Sequence, residues 1–150
     1  MNRARGLRRG VGAALLLAGV LPLAGCGGSD YCGTVSDQQE QLTRLLSSGS
    51  NSGLLQALPI LQDLRSKAPA DISDEWQQFI VPLQDLHDAL DAAGIAPADY
   101  DPKKPPSGLS EADRTAIQAA ATSLGSAQTV AAFASIQQEV LDVCHTPLAQ

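Results

Sequence analysis

Apolar residues recur at helical spacing from about residue 34 to residue 144, and no segment alternates as a strand does. The pattern predicts a first helix over 34–48 and a second over 53–67, separated by a Gly- and Ser-rich break. Pro59 either kinks the second helix or begins its main part. The expected inward residues of these two helices are Val35, Leu42, Leu45, Leu46, Leu54, Leu58, Leu61 and Leu64.

The strongest periodic segment predicts a third helix that begins at Ser73, as the N-cap, and ends at Ala93-Gly94. Asp74 and Glu75 suit the positive end of its dipole. Pro82 lies inside the segment and predicts a bend near residues 78–81. The buried stripe of this helix is expected to contain Trp76, Phe79, Ile80, Leu83, Leu86 and Leu90.

Residues 94–109 contain four prolines, so they are expected to be a non-helical crossover that Ile95 and Tyr100 dock onto the bundle. Ser110 and Asp113 then resemble a capping box.

A helix is predicted to begin at this capping box and to end at Leu124, and a last helix is predicted over 127–144. The alternative is one bent helix over 110–144. The faces expected to pack inward consist of Ala116, Ala119 and Ala120, and of Val130, Phe133, Ile136, Val140 and Val143.

The first 25 residues have the features of an export signal. An arginine-rich start leads into the 11-residue apolar run 11–21, which is shorter than the roughly 20 residues needed to span a bilayer. Leu23-Ala24-Gly25-Cys26 resembles the lipobox of bacterial lipoproteins, so we expect cleavage before Cys26 and acylation of its thiol. An ordinary secretory signal with an incidental cysteine is the alternative, and Arg8-Arg9 leaves a twin-arginine export route open.

These observations divide the chain into a signal peptide (1–25), a lipidated cysteine with a short tether (26–33), a bundle domain (34–146) and a tail (147–150). In an exported protein, Cys32 and Cys144 are expected to form one disulfide. A free redox thiol or a metal ligand is the alternative, although neither cysteine lies in a C-x-x-C motif. To bring the two together, residues 94–109 are expected to run back along the bundle. The predicted fold is therefore all-α: a single bundle of four to five helices with a proline-rich crossover, closed by one disulfide.

The charge of the chain changes sharply with position. The formal net charge is −6, but after residue 25 there are six basic against sixteen acidic residues, which gives −10. A body this acidic repels phosphate backbones, and five aromatic residues are too few for stacking platforms. Charge and composition together therefore nearly exclude nucleic-acid binding.

Candidate catalytic chemistry is scarce. No nucleophile elbow, phosphate loop or His-Glu-x-x-His motif is present, so neither a catalytic residue nor a cofactor is predicted. His87 with Asp91 has metal-ligand spacing, yet a metal site needs a third ligand, so no metal is expected and a half-buried histidine at the core edge is favoured. Asp99 and Asp101 lack the glycine and later acid of a calcium loop. His145 suits the negative end of the last helix dipole.

Several short segments resemble a family of small helical actinobacterial lipoproteins. The matching pieces are Asp30-Tyr31-Cys32, Ala57-Leu58-Pro59, Ala68-Pro69, Ile72 to Trp76, Ala98 to Pro102, Leu109-Ser110 and Asp142-Val143-Cys144. The resemblance implies an actinobacterial host and no particular activity.

Three functional hypotheses follow. The preferred one is a protein anchored in the bilayer through acylated Cys26, on the extracytoplasmic face of the cell membrane, serving as an accessory or interaction module with an envelope protein as partner. The alternative is a small-ligand binder with a groove near Trp76, His87 and Tyr100. An enzyme would need a deep pocket lined by ionisable groups.

Overall fold

The computed structural model describes residues 28–47, 51–104 and 107–150. The predicted signal peptide, the lipobox and Cys26 lie outside these ranges. The described part contains helices and turns but no strand, which confirms the all-α class, and none of its helices has the length and apolarity to span a membrane. Its helices are α1 (Gly28–Leu46), α2 (Asn51–Gln56), α3 (Leu58–Lys67), α4 (Ser73–Ala92), α5 (Glu111–Leu124) and α6 (Ala127–Cys144).

Helix α1 begins six residues earlier than predicted. Most of the segment expected to be a tether, 26–33, is therefore helical from Gly28 onward. The reason is visible in the packing: Tyr31, which precedes the predicted start, is fully buried on the same face as Val35 and Leu42. Burial of an aromatic side chain extends the helix toward the N-terminus.

The second predicted helix is divided into α2 and α3. Pro59 lies in the first turn of α3, where its missing N–H would have no partner in any case, so it begins the main part of this segment. Leu58, Leu61 and Leu64 are buried as predicted, whereas on α2 the fully buried residue is Leu55 and Leu54 is only partly covered.

Helix α4 is the centre of the bundle. All six residues of its predicted stripe are buried, and the helix continues through Pro82, which is buried as well. The predicted capping role of Ser73 is wrong. A 3-10 turn over Ala70–Ile72 leads directly into the helix, Ile72 takes the N-cap position, and no side chain caps it.

The proline-rich segment 94–109 contains one short 3-10 turn, Pro97–Asp99, that contacts α2 and α4. Tyr100 is buried and Ile95 is partly buried against the core, as predicted. At the start of α5 the Ser110 hydroxyl accepts a hydrogen bond from the Asp113 N–H at 3.1 Å, which confirms Ser110 as the N-cap, while the Asp113 carboxylate accepts from the Ser110 hydroxyl at 2.6 Å.

Helix α5 packs with a different face from the one predicted. Ala116 and Ala119 are exposed, and the inward residues are Ile117, Ala120, Ala121 and Leu124. The prediction was right for Ala120 and wrong for Ala116 and Ala119, because the large aliphatic side chains Ile117 and Leu124 orient the helix.

Helix α6 is separate from α5. Gly125 ends α5, and the Ser126 hydroxyl accepts from the Thr129 N–H at 3.2 Å, so the alternative of one bent helix is wrong. The predicted inner face is also partly wrong: Val130 is 60 % and Val143 47 % exposed. The buried face consists of Thr129, Ala132, Ile136 and Val140, with Phe133 partly buried.

Cys32 and Cys144 form the predicted disulfide, with their Cα atoms 5.2 Å apart and 112 positions between them in sequence. The free-thiol and metal-ligand alternatives are therefore wrong. The start of α1 and the end of α6 meet here, and the end of α3 is also close, since Lys67 Nζ donates to Thr34 Oγ1 at 3.0 Å. We call this region, with Tyr31, Trp76 and Glu139, the disulfide end.

The last four residues, expected to be a free tail, are part of the packed structure. Leu148 is buried, Gln39 Nε2 of α1 donates to the Pro147 carbonyl at 2.6 Å, and the Gln150 N–H donates to the Thr43 hydroxyl at 3.0 Å. The chain therefore continues along α1 after the disulfide.

Candidate functional site

An apolar cavity of about 270 Å³ lies where α2, α4, α5 and α6 meet. Its walls are formed by Leu54 of α2, Phe79 and Leu86 of α4, Ala121 and Leu124 of α5, and Phe133 of α6. These walls are apolar, and Gly125, Thr129 and Val130 complete the lining. The cavity is the strongest candidate site in the described part of the chain.

The cavity exists because small residues on α5 lie opposite large residues on α4. Ala121 and Gly125 offer a methyl group and a hydrogen where Phe79 and Leu86 of α4 approach. The space is not filled from α6, because Phe133 stacks on Phe79 with ring centroids 4.5 Å apart and 24° between the planes. The two rings hold each other against one wall and leave the remaining volume open.

The polar groups at the edge of the cavity already have partners. Thr129 is buried, and its hydroxyl donates to the Ser123 carbonyl at 3.0 Å and lies 3.0 Å from the Ser126 hydroxyl. These bonds fix the turn between α5 and α6. The turn at the edge of the cavity is therefore rigid, and its hydroxyl groups already have hydrogen-bond partners.

A second, polar groove adjoins the cavity and shares Thr129 with it. This groove, of about 310 Å³, is lined by the amides of Gln77, Gln78 and Gln128 and by Ser123 and Ser126, together with Val81 and Pro82. Gln128 Nε2 of α6 donates to Gln78 Oε1 of α4 at 3.2 Å. We call it the amide groove; it is lined by uncharged hydrogen-bonding groups.

Neither the cavity nor the amide groove is lined by an ionisable side chain. Arg65 approaches the edge of the amide groove, where it already donates to Gln77 Oε1 at 2.7 Å. A cationic ligand would lose part of its hydration here without gaining a counter-charge, so the site favours a neutral molecule over a cation.

The residues predicted to form a ligand groove lie apart from one another. Trp76 is completely buried near the start of α4, whereas Tyr100 is buried eight residues after that helix ends. His87 is half-buried at the core edge, with Nδ1 3.6 Å from Asp88 Oδ1. None of the three lines the cavity.

The sequence reasoning missed the cavity because its signal is a pairing between helices. Ala121 and Gly125 look like ordinary helix and turn residues, and Phe79 looks like ordinary core. Only the alignment of α5 against α4 brings small residues opposite large ones. The one local clue is the accumulation of Ala and Gly over residues 119–125.

A group of buried polar atoms lies at the disulfide end. The Tyr31 hydroxyl, the Trp76 indole N–H and the Glu139 carboxylate interact with one another, but none of them forms a well-aligned hydrogen bond.

Burial raises the pKa of Tyr31, and burial together with the charge of Asp71 raises the pKa of Glu139. The tyrosine therefore stays neutral, and the group contains no activated nucleophile.

Among the described residues no group of three or more His, Cys, Asp or Glu side chains is placed to hold a metal ion. No family model, curated protein or solved structure matches the chain. The function of the chain is therefore inferred from its residues and their geometry.

Proposed function

We propose that this protein is an extracytoplasmic lipoprotein, anchored in the cell membrane through acylated Cys26, that serves as an accessory or interaction module of the cell envelope. The observation that carries the proposal is the Cys32–Cys144 disulfide. Disulfides persist in oxidising compartments outside the cytoplasm. Because this bond uses two of the three cysteines, Cys26 in the lipobox-like segment is left for the lipid.

The position of the anchor supports the same proposal. Cys26 precedes the first residue of α1, Gly28, by two positions, and Cys32 lies one turn further along that helix. Two acyl chains on Cys26 would give stable anchoring. The disulfide end would then be held next to the bilayer, as expected for a module that acts at the membrane surface. The similarity of several segments to actinobacterial lipoproteins agrees with this proposal.

The test uses the full chain expressed in a bacterial host that processes lipoproteins. Cys26→Ser is expected to abolish incorporation of labelled palmitate and to move the protein from the membrane pellet to the soluble fraction. The matched control is the double variant Cys32→Ser, Cys144→Ser, which should retain the label and the membrane association. A wild-type chain without label, or a Cys26→Ser chain that stays in the membrane, would contradict the proposal.

The interaction role is tested at the anchored end. Leu141 and Val143 are exposed apolar side chains near the disulfide, at 45 % and 47 %, and they mark the surface to be tested. A photo-crosslinking residue at Leu141 is expected to give one recurrent adduct in native membranes. The same residue at Gln137, an exposed polar position one turn earlier, should give none. Equal adducts at both positions would argue against a defined partner surface.

A second candidate function is the binding of a small ligand. The observation that favours it is the apolar cavity, which lies away from the groove first expected near Trp76 and Tyr100. An anchored protein with such a cavity would hold an apolar molecule at the membrane surface. This candidate does not depend on the interaction role.

A further inference from the structure

We propose that the cavity and the amide groove together form a binding site for a neutral single-chain amphiphile. The apolar chain would lie in the cavity, and an uncharged hydrogen-bonding head group would lie in the amide groove. The proposal rests on the second candidate function and names its ligand class.

The size of the cavity sets the length of the chain. A cavity of about 150 Å³ lined by apolar residues is large enough for benzene, and ligand pockets in proteins begin near about 300 Å³. A cavity of about 270 Å³ therefore has room for about ten non-hydrogen atoms, by scaling from that benzene cavity. This corresponds to a medium-length acyl chain.

The proximity of the two spaces favours an amphiphile over a purely apolar molecule. Thr129 lines both the cavity and the amide groove, so the two spaces adjoin at this residue, and an amphiphile with its chain in the cavity has to pass Thr129 to place its head group among Gln77, Gln78 and Gln128. Amide side chains both donate and accept hydrogen bonds. A head group with hydroxyl or amide functions would form hydrogen bonds with these amides. It would replace or share the hydrogen bond between Gln128 and Gln78.

The charge of the molecule selects a neutral head group. No ionisable side chain lines the site, and the cation at its edge, Arg65, donates to the neutral amide of Gln77. The part of the chain after residue 25 carries a formal −10, which disfavours an anionic head group. A cationic head group would find no carboxylate in the groove to pair with it.

The experiment compares three probes with the same ten-carbon chain: monodecanoylglycerol, decanoate and decyltrimethylammonium, each below its micelle concentration. The protein is the full chain carrying Cys26→Ser, which removes the need for detergent. Binding is measured by calorimetry and by displacement of the neutral fluorophore N-phenyl-1-naphthylamine. We expect monodecanoylglycerol to bind at least tenfold more tightly than either charged probe.

The matched variants are Ala121→Leu and Ala119→Leu on the same helix. Ala121 lines the cavity, so a leucine there fills it and should lower affinity at least tenfold, whereas Ala119 is exposed and its variant should bind as the parent chain does. Ala121→Val, a smaller insertion, gives the same test if the leucine disturbs folding. Gln128→Ala should reduce the preference for the neutral head group.

The outcomes separate the parts of the argument. Equal binding of the three probes would overturn the head-group assignment, and binding that survives both Ala121 variants would overturn the cavity as its location. Absence of binding by every probe would remove the ligand-binding function altogether. None of these results would alter membrane anchoring, which the palmitate and fractionation test decides separately.

Discussion

The disulfide end and the cavity lie along the same two helices, α4 and α6, but they differ in how their interiors are completed. At the disulfide end, Trp76, Ile136 and Val140 are fully buried, while the polar atoms of Tyr31 and Glu139 lack well-aligned hydrogen bonds. At the cavity the reverse holds. The polar edge around Thr129 is satisfied, and the apolar packing is incomplete.

This contrast shows that tight packing and polar satisfaction are separate requirements. Burying a polar group without a good partner destabilises the folded state, and the disulfide end combines such groups with a covalent link between α1 and α6. The cavity has no covalent link nearby, and its empty volume forfeits dispersion contacts. A region that leaves such contacts unmade in an otherwise well-packed bundle is the expected place for a ligand.

The largest expected effect comes from removing the covalent link. The double variant Cys32→Ser, Cys144→Ser releases a loop with a sequence separation of 112. In the chain-entropy model this lowers the free energy of unfolding by about 4–5 kcal/mol. Urea denaturation of the variant and of the chemically reduced wild type should agree. A change below about 1 kcal/mol would mean that the denatured state is not constrained as this model assumes.

The next effect compares two leucine-to-alanine variants. Leu64, one turn before Lys67 near the disulfide end, is fully buried, so Leu64→Ala should cost about 2–5 kcal/mol. Leu124 lines the cavity and is only partly buried, so Leu124→Ala should cost roughly 1–2 kcal/mol because fewer contacts are lost. Denaturant midpoints measure both. Equal costs would show that the cavity is closed in solution.

The sequence predicted well those features that depend on residue types close together in the chain. The stripe of α4 recurs at helical spacing, the Ser110 N-cap and the Gly125-Ser126 boundary are local signals, and the two cysteines after the lipobox-like segment imply one bond. Each of these can be identified without knowing what the helix packs against.

The sequence predicted poorly those features that depend on the neighbouring helix. Val130 and Val143 were expected inside, but the close approach of α6 to α4 uses the small side chains of Thr129 and Ala132 instead. The cavity was not predicted for the same reason, because it depends on Ala121 of α5 facing Phe79 of α4. Periodicity identifies a helix more reliably than it identifies which of two adjacent faces is buried.

A smaller effect tests whether the turn beside the cavity is as rigid as its hydrogen bonds imply. Ser126 and Ser110 both cap helices through their hydroxyls, so replacing either by alanine should cost about 1 kcal/mol. Ser126 also contacts the buried Thr129 hydroxyl at 3.0 Å, and Ser110 donates to the exposed Asp113 carboxylate at 2.6 Å. Because water competes for the exposed bond, the Ser126 variant should lose more than the Ser110 variant. Thermal unfolding measures the difference. A larger loss at Ser110 would mean that the turn contributes little to stability.

The smallest effect concerns the buried carboxylate at the disulfide end. Burial and the charges of Asp71 and Asp142 raise the pKa of Glu139, while the interaction with Tyr31 partly opposes them. The folded state therefore holds this proton more tightly than the unfolded state. The stabilisation that comes from this tighter proton binding is complete below pH 4.5, the ordinary pKa of the carboxyl. It is lost as pH rises through the raised pKa of Glu139 in the folded state.

Glu139→Gln removes this titration. The variant should be more stable than the wild type at pH 7, by about 1 kcal/mol or less because water screens part of the charge. The difference should vanish below pH 4.5, the ordinary value for this carboxyl. Glu40→Gln is the matched control, since Glu40 is exposed on α1 and pairs only with Arg44 in the next turn. If Glu139→Gln destabilises the protein at pH 7, the Tyr31 hydroxyl donates a stronger bond to the carboxylate than its geometry indicates, and the disulfide end is then as well satisfied as the turn beside the cavity.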